Sequence, residues 1–221
     1  QINRGYNERR GGYHSAPLVV HSVDFAPIEE FQRSDDWIRA GAVLSDAARG
    51  LERAGAGVLL LATNTMHLVY DTLVASTSVP WIHIADATAR ALQRDGVTRA
   101  ALVGTRFTME REFYRGRLRE PFGIDTIIPP RDDRREIDRV IFEELVHGTV
   151  SEGARRAYRA VIERLVADGA QAVVLACTEI GLLIGAEDSP VPIYDTALLH
   201  AAAAVDWLVS DAEPFDIRTE D

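Results

Sequence analysis

Two stretches of this 221-residue chain are written to nearly the same plan. The apolar run Ala172-Val173-Val174-Leu175-Ala176 opens into Cys177-Thr178-Glu179-Ile180, and the run Val58-Leu59-Leu60-Leu61-Ala62 opens into Thr63-Asn64-Thr65-Met66. Each is followed by a second short run, Val191-Pro192-Ile193-Tyr194-Asp195-Thr196 after the first and Val79-Pro80-Trp81-Ile82-His83 after the second. Short apolar runs bounded by turn formers read as buried strands of a parallel sheet. The repeat therefore predicts two related halves, each with a polar strand end. Facing each other, they would set two proton-handling side chains, Cys177 and Thr63, on opposite sides of one cleft.

Between these landmarks, β-rich runs alternate with alanine- and arginine-rich segments at helical period, the pattern of a parallel sheet covered by helices. The spacing predicts strands at 18–23, 58–62, 81–84, 100–103, 126–128, 172–176 and 192–194. Helices are expected at 36–54, 85–94, 109–120, 133–147, 151–167 and 197–210. The fold class is thus α/β, with two pseudo-symmetric Rossmann-like domains: residues 1–95 plus 188–221, and residues 96–187. Ligands of such sheets gather at the carboxyl ends of the strands, where both repeated openings lie. The first residues, Gln1-Ile2-Asn3-Arg4-Gly5, read as the middle of a helix, so an initiating strand is expected to be missing from the first domain.

Composition narrows the chemistry. With 47% hydrophobic residues and no apolar run near the roughly 18 residues of a membrane span, a cytoplasmic protein with a real core is expected. A net charge of −10 argues against a nucleic-acid partner, which calls for a basic face. All 24 basic residues are arginine. Without a lysine amine there is no pyridoxal-phosphate Schiff base and no P-loop lysine, so amino-acid chemistry here is expected to need no cofactor. The six histidines show no metal-ligand spacing, and no metal is expected. The single cysteine cannot form an intramolecular disulfide and is either an inert core thiol or a nucleophile or base.

At the strand ends, a thiol facing the amino terminus of a following helix would be stabilised as thiolate, so Cys177 is expected to titrate below the ordinary value of roughly 8.5. Thr178 and Glu179 would begin that helix and cap its free amides. Thr63, Asn64 and Thr65 offer hydroxyl, amide and backbone donors in one turn, which suits a carboxylate. Singly, each motif also reads as ordinary structure, a buried cysteine or a polar turn. The duplication favours function, because a purely structural turn does not need polar openings at both equivalent ends. His67 and His83 read as core histidines, His147 before Gly148 as a helix-end cation, and the Arg115/Arg117/Arg119 and Arg131/Arg134/Arg135 runs as solvated faces.

The segments Gly11–Ala16, His21–Phe25, Thr63–His67, His83–Thr88, Leu102–Met109 and Ala176–Ile180, in this order and at this separation, resemble the aspartate/glutamate racemase superfamily across essentially the whole chain. The resemblance implies two pseudo-symmetric α/β domains, a site between them, no cofactor and a homodimer. It also implies a pair of thiols, one removing the Cα proton of an amino acid and the other returning one. Cys177 takes the second thiol's place and Thr63 the first's, with Asn64, Thr65, Thr178 and Glu179 around the substrate and Gln32 and Thr105 as wall residues. The chain departs from that pattern at Thr63 itself, at Leu68, where a lysine is usual, and in lacking the glycine-rich loop after an initiating strand. An alcohol is a far weaker base than a thiol, so catalysis is expected to favour one enantiomer.

Three functions follow: a racemase acting on L-aspartate or L-glutamate with Cys177 as base, a one-cysteine decarboxylase of the same superfamily, or a non-catalytic amino-acid-binding protein.

Overall fold

The two predicted strand ends belong to two parallel sheets in the computed structural model, which describes residues 1–210. The chain divides into two compact units, one of Gln1–Leu61, Met66–His83 and the chain from Ala201, the other of Ala62–Thr65 and Ile84–His200.

In the first unit, helices α1 (Ile2–Arg10), α2 (Phe25–Arg33), α3 (Trp37–Arg53) and α4 (Tyr70–Val74) accompany strands β1 (Leu59–Leu60) and β2 (Trp81–Ile82). Asp24 and Asp36 cap α2 and α3, each accepting a backbone N–H from the first turn. Ile28, Ala40, Ala48, Leu59, Met66, Val69, Leu73 and Trp81 form the core.

The second unit is built on a four-stranded parallel sheet of order β4-β3-β5-β6, with β3 at Arg99–Gly104, β4 at Asp125–Ile127, β5 at Ala172–Ala176 and β6 at Ile193–Asp195. Its helices are α5 (Ile84–Arg94), α6 (Arg106–Glu110), α7 (Glu112–Arg119), α8 (Arg131–Glu143) and α9 (Glu152–Ala167), and α10 (Thr196–Val209) starts here and runs on into the first unit. Strand periodicity sorts the core. Ala100, Leu102, Ala172, Val174 and Ala176 meet α5 and α7 on one face, while Ala101, Val103, Val173 and Leu175 meet α8 and α9 on the other. Both faces are covered, which is why these runs are apolar throughout rather than alternating.

The sequence repeat is also a repeat of pairing. Leu59 pairs with Trp81 and Val173 with Ile193, and Leu60 pairs with Ile82 and Val174 with Tyr194. The Leu59 N–H bonds Pro80 O and the Val173 N–H bonds Pro192 O, both at 2.9 Å. Helices α5 and α10 start two residues after Ile82 and Tyr194 respectively.

Two expectations are corrected and one helix is added. Residues 18–23 form no strand; Leu18, Val19 and Val20 are exposed, and an extended run becomes a strand only where a neighbour takes up its backbone bonds. Phe25–Arg33 is a helix that the periodicity did not announce. The expected helix 109–120 is two helices, broken at Arg111, whose φ of −95° and ψ of 150° are extended. In the compact units α5, residues 188–200 and the short segment Ala62–Thr65 go with the second. The reason for α5 is packing, since Ile84, Ala85, Ala89 and Leu92 complete the core on the Leu102 and Val174 face. The expected end of the first domain, 211–221, lies outside the described residues.

Candidate active site

The alternation along β5 places Cys177 on the same face as Val173 and Leu175, in the core that α8 and α9 cover, and the thiol is only 7% exposed. No α-helix follows it. Residues 178–179 form a turn that leads into a single 3-10 turn, Ile180–Leu182, so the dipole expected to lower the thiol pKa is not there. Instead, Cys177 Sγ donates to Glu179 Oε2 at 3.1 Å, and Thr178 Oγ1 donates to the same oxygen at 2.8 Å. Burial first and the Glu179 carboxylate second push the thiol well above its ordinary range, reversing the expectation of a thiolate. Tyr158 of α9 is buried in the same cluster, its hydroxyl donating to Ile137 O at 3.0 Å; burial and then the neighbouring Cys177 raise its pKa too.

Two further groups stand in this unit. Asn64, 2% exposed, donates through Nδ2 to Thr196 Oγ1 at 2.9 Å, and Thr196 donates its one proton to Leu175 O at 2.8 Å. Because that proton is spent on a backbone carbonyl, Thr196 can only accept from Asn64, which fixes the amide's orientation. Asn64 Oδ1 is left buried without a partner. A buried acceptor in that state costs free energy until a donor reaches it. Thr65 Oγ1 meets Thr105 Oγ1 at 2.9 Å and Thr108 Oγ1 at 3.5 Å, and Thr105 meets Thr108 at 3.1 Å, so three buried hydroxyls form one cluster. Thr105 caps α6 through the Thr108 N–H, and the N–H of Arg106 is held by Asp138 Oδ1 of α8 at 2.8 Å. Burial raises the Asp138 carboxyl above its ordinary range, against the pull of that N–H.

Of the residues singled out in the sequence, Thr63, Asn64, Thr65, Thr105, Cys177, Thr178 and Glu179 all belong to the second unit, with Thr63 half-buried. The structure brings Thr65 to Thr105 and both Cys177 and Thr178 to Glu179. Gln32 belongs to the first unit, on α2, where its buried amide lies 3.0 Å from Met66 Sδ. Thr108, Thr196 and Asp138 were not singled out. The signal for Thr108 was the Thr-x-x-Thr spacing of a capped helix, and that for Thr196 its place in the repeat. Asp138 had none, because it reaches α6 from a helix far along the chain. Among the described residues no cluster of three or more His, Cys, Asp or Glu is placed to hold a metal, and no helix is long and apolar enough to cross a membrane.

The model of the Asp/Glu/hydantoin racemase family matches residues 1–204. The chain belongs to this family. It is 47% identical to a provisionally assigned Asp/Glu racemase of Yersinia pestis, whose crystal structure superposes with a TM-score of 0.88 over 95% of this chain and 91% of that one. It is 32% identical to an aspartate racemase homologue of Pyrococcus horikoshii, with a TM-score of 0.79 over 95% and 92%. The broad-specificity amino-acid racemase RacX of Bacillus subtilis is 22% identical over 160 residues, 72% of this chain and 68% of that protein. Membership in the Asp/Glu/hydantoin racemase family supports a racemase, an enzyme of the isomerase class, on an α/β fold with parallel sheets.

Proposed function

We propose that this protein is a cofactor-independent racemase of an acidic amino acid, aspartate or glutamate, with Cys177 as its proton-transferring thiol. The observation that carries this reading within the family is the Cys177 Sγ to Glu179 Oε2 bond of 3.1 Å. A raised thiol pKa makes Cys177 a proton donor at rest, and Glu179 is the base at hand to receive that proton when a thiolate is needed. The thiolate then takes the Cα proton of the L-amino acid. The electron pair is left on Cα and delocalised into the carboxylate, and the Thr63 hydroxyl returns a proton from the opposite face. The alkoxide so formed takes a proton from solvent water, and the resulting hydroxide takes back the proton held by Glu179, which restores the resting state. Donors at Thr65, Thr105 and Thr108 suit the substrate carboxylate, and the partnerless Asn64 Oδ1 suits its ammonium, a donor that an amino acid brings and a plain dicarboxylic acid does not.

In deuterium oxide, L-aspartate or L-glutamate should gain deuterium at Cα with slow inversion. Cys177→Ala should abolish this and Cys177→Ser leave a trace, whereas undiminished exchange in Cys177→Ala would remove the proposal. Thr63→Cys, which supplies a second thiol, should raise exchange into the D-enantiomer. A thiol protonated at rest also favours a second reading, a one-thiol lyase that protonates an enolate. Carbon dioxide release from a malonate-type acid, without exchange into either amino acid, would select it.

A further inference from the structure

A cavity of about 230 Å³ lies at the sheet end that carries the first residues of β3 and β4, lined by Arg99, Arg115, Arg119, Asp125 and Thr126. Cys177 follows the last residue of β5, which runs parallel to β3, so the cavity and the thiol belong to opposite ends of the same sheet. Three guanidinium groups against one carboxylate give this cavity an excess of positive charge in a chain whose net charge is −10.

The arginines are arranged rather than scattered. Arg99 opens β3 in register with Asp125 of β4. Arg115 and Arg119 stand one turn apart on α7 and so share a face. Arg115 Nε donates to Thr126 Oγ1 at 3.2 Å, which ties the half-buried guanidinium to β4 at one edge. Arg115 and Arg119 touch Glu112 at 3.4 and 3.0 Å, and Arg119 also touches Glu120 at 3.6 Å. Both glutamates are well exposed and neither lines the cavity, so these pairs are weak, screened and readily exchanged for a better anion. Arg99 has no ion pair among the described residues.

We propose that this cavity is a binding site for a small oxyanion carrying two negative charges, of phosphate or dicarboxylate size. Planar guanidinium forks match carboxylate and phosphate oxygens two at a time, and a space below the usual roughly 300–1,000 Å³ of drug-sized ligands excludes a nucleotide. Calorimetric titration of the purified chain with sodium phosphate and, separately, sodium succinate, at ionic strength fixed with sodium chloride, tests this and tells the two chemistries apart. One of the two should bind one to one. Arg99→Gln and Arg115→Gln should each weaken that binding at least tenfold, while Arg131→Gln, at the exposed start of α8, should leave it unchanged. Binding should also survive Asn64→Ala, which removes an acceptor from the candidate active site, so failure here and failure of the racemase reading are separate results. No heat beyond the chloride control, or equal affinity in the Arg99→Gln Arg115→Gln double variant, overturns the site. If Arg115→Gln melts early because its Thr126 bond is lost, Arg99→Gln carries the test alone.

Discussion

At the scale of single residues, the chemistry of Cys177 is set by what lies beside it. Glu179 offers a negative charge and an acceptor at 3.1 Å, and the apolar core in which the thiol lies keeps it from water. Glu179→Gln keeps an acceptor but deletes the charge, so the thiol pKa should fall, read as a downward shift in the pH midpoint of iodoacetamide alkylation. An unchanged midpoint would show that burial alone holds the proton. The raised pKa also has a stability consequence. The folded thiol keeps its proton at pH values where the unfolded chain, with a thiol near roughly 8.5, has lost it. The contribution is fully present below about pH 8.5, and stability should then fall by up to about 1.4 kcal/mol per pH unit until the folded thiol itself titrates. Cys177→Ser should flatten that slope above about pH 8.5 in urea denaturation series. Asn64 teaches the complementary lesson. Its suitability for a polar ligand was legible in the sequence, but whether it presents donor or acceptor was decided by Thr196, 132 residues away.

At the scale of elements, the close approach of β3 and β5 sets the candidate site. Gly104, the last residue of β3, is in register with Ala176, and a Cβ there would come within 2.5 Å of Ala176 O. The next residues of the two strands are Thr105 and Cys177, so a wedge between Gly104 and Ala176 acts directly on both. Gly104→Ala should cost about 1–3 kcal/mol of stability in denaturant titration and reduce Cα exchange more than that loss accounts for. Activity matching the wild type in a folded Gly104→Ala protein would show that the strand ends tolerate separation. Helix α6 depends on a similar junction, with Thr105 capping it and Asp138 holding the Arg106 N–H from α8. Hydrophobic period found α8 but could not say that one of its acids would serve another helix's first turn.

For the whole molecule, the two sheets differ in how much protects them. All five residues of β5 are buried and paired with β3, and Val173, Val174 and Leu175 are paired with β6 as well, whereas β1 and β2 pair over two residues each. A two-stranded ribbon is marginal without further support, while a central parallel strand opens only with its unit. Amide protons of Ala172–Ala176 should therefore exchange with deuterium on the order of 100-fold or more slowly than those of Leu59 and Leu60, measured residue by residue by NMR. Similar rates in the two sheets would mean that the molecule opens as one cooperative body.

Short-range pattern was enough for the α/β class, for the strands of both sheets, for the twofold repeat and for the residues worth testing, because each rests on neighbours in sequence: apolar runs, turn formers and a motif stated twice. Other features waited on contacts made across the fold. The apolar stretch from Leu18 to Val23 carried a strand's pattern without a strand's partner, and α5 joined the unit whose core it fills rather than the one it follows along the chain. The protonation of Cys177 was likewise out of reach, since it turns on a helix that does not form and on a carboxylate folded back to 3.1 Å. Pattern reports which side chains are available; the electrostatic environment that sets their acidity comes from the neighbours that packing supplies.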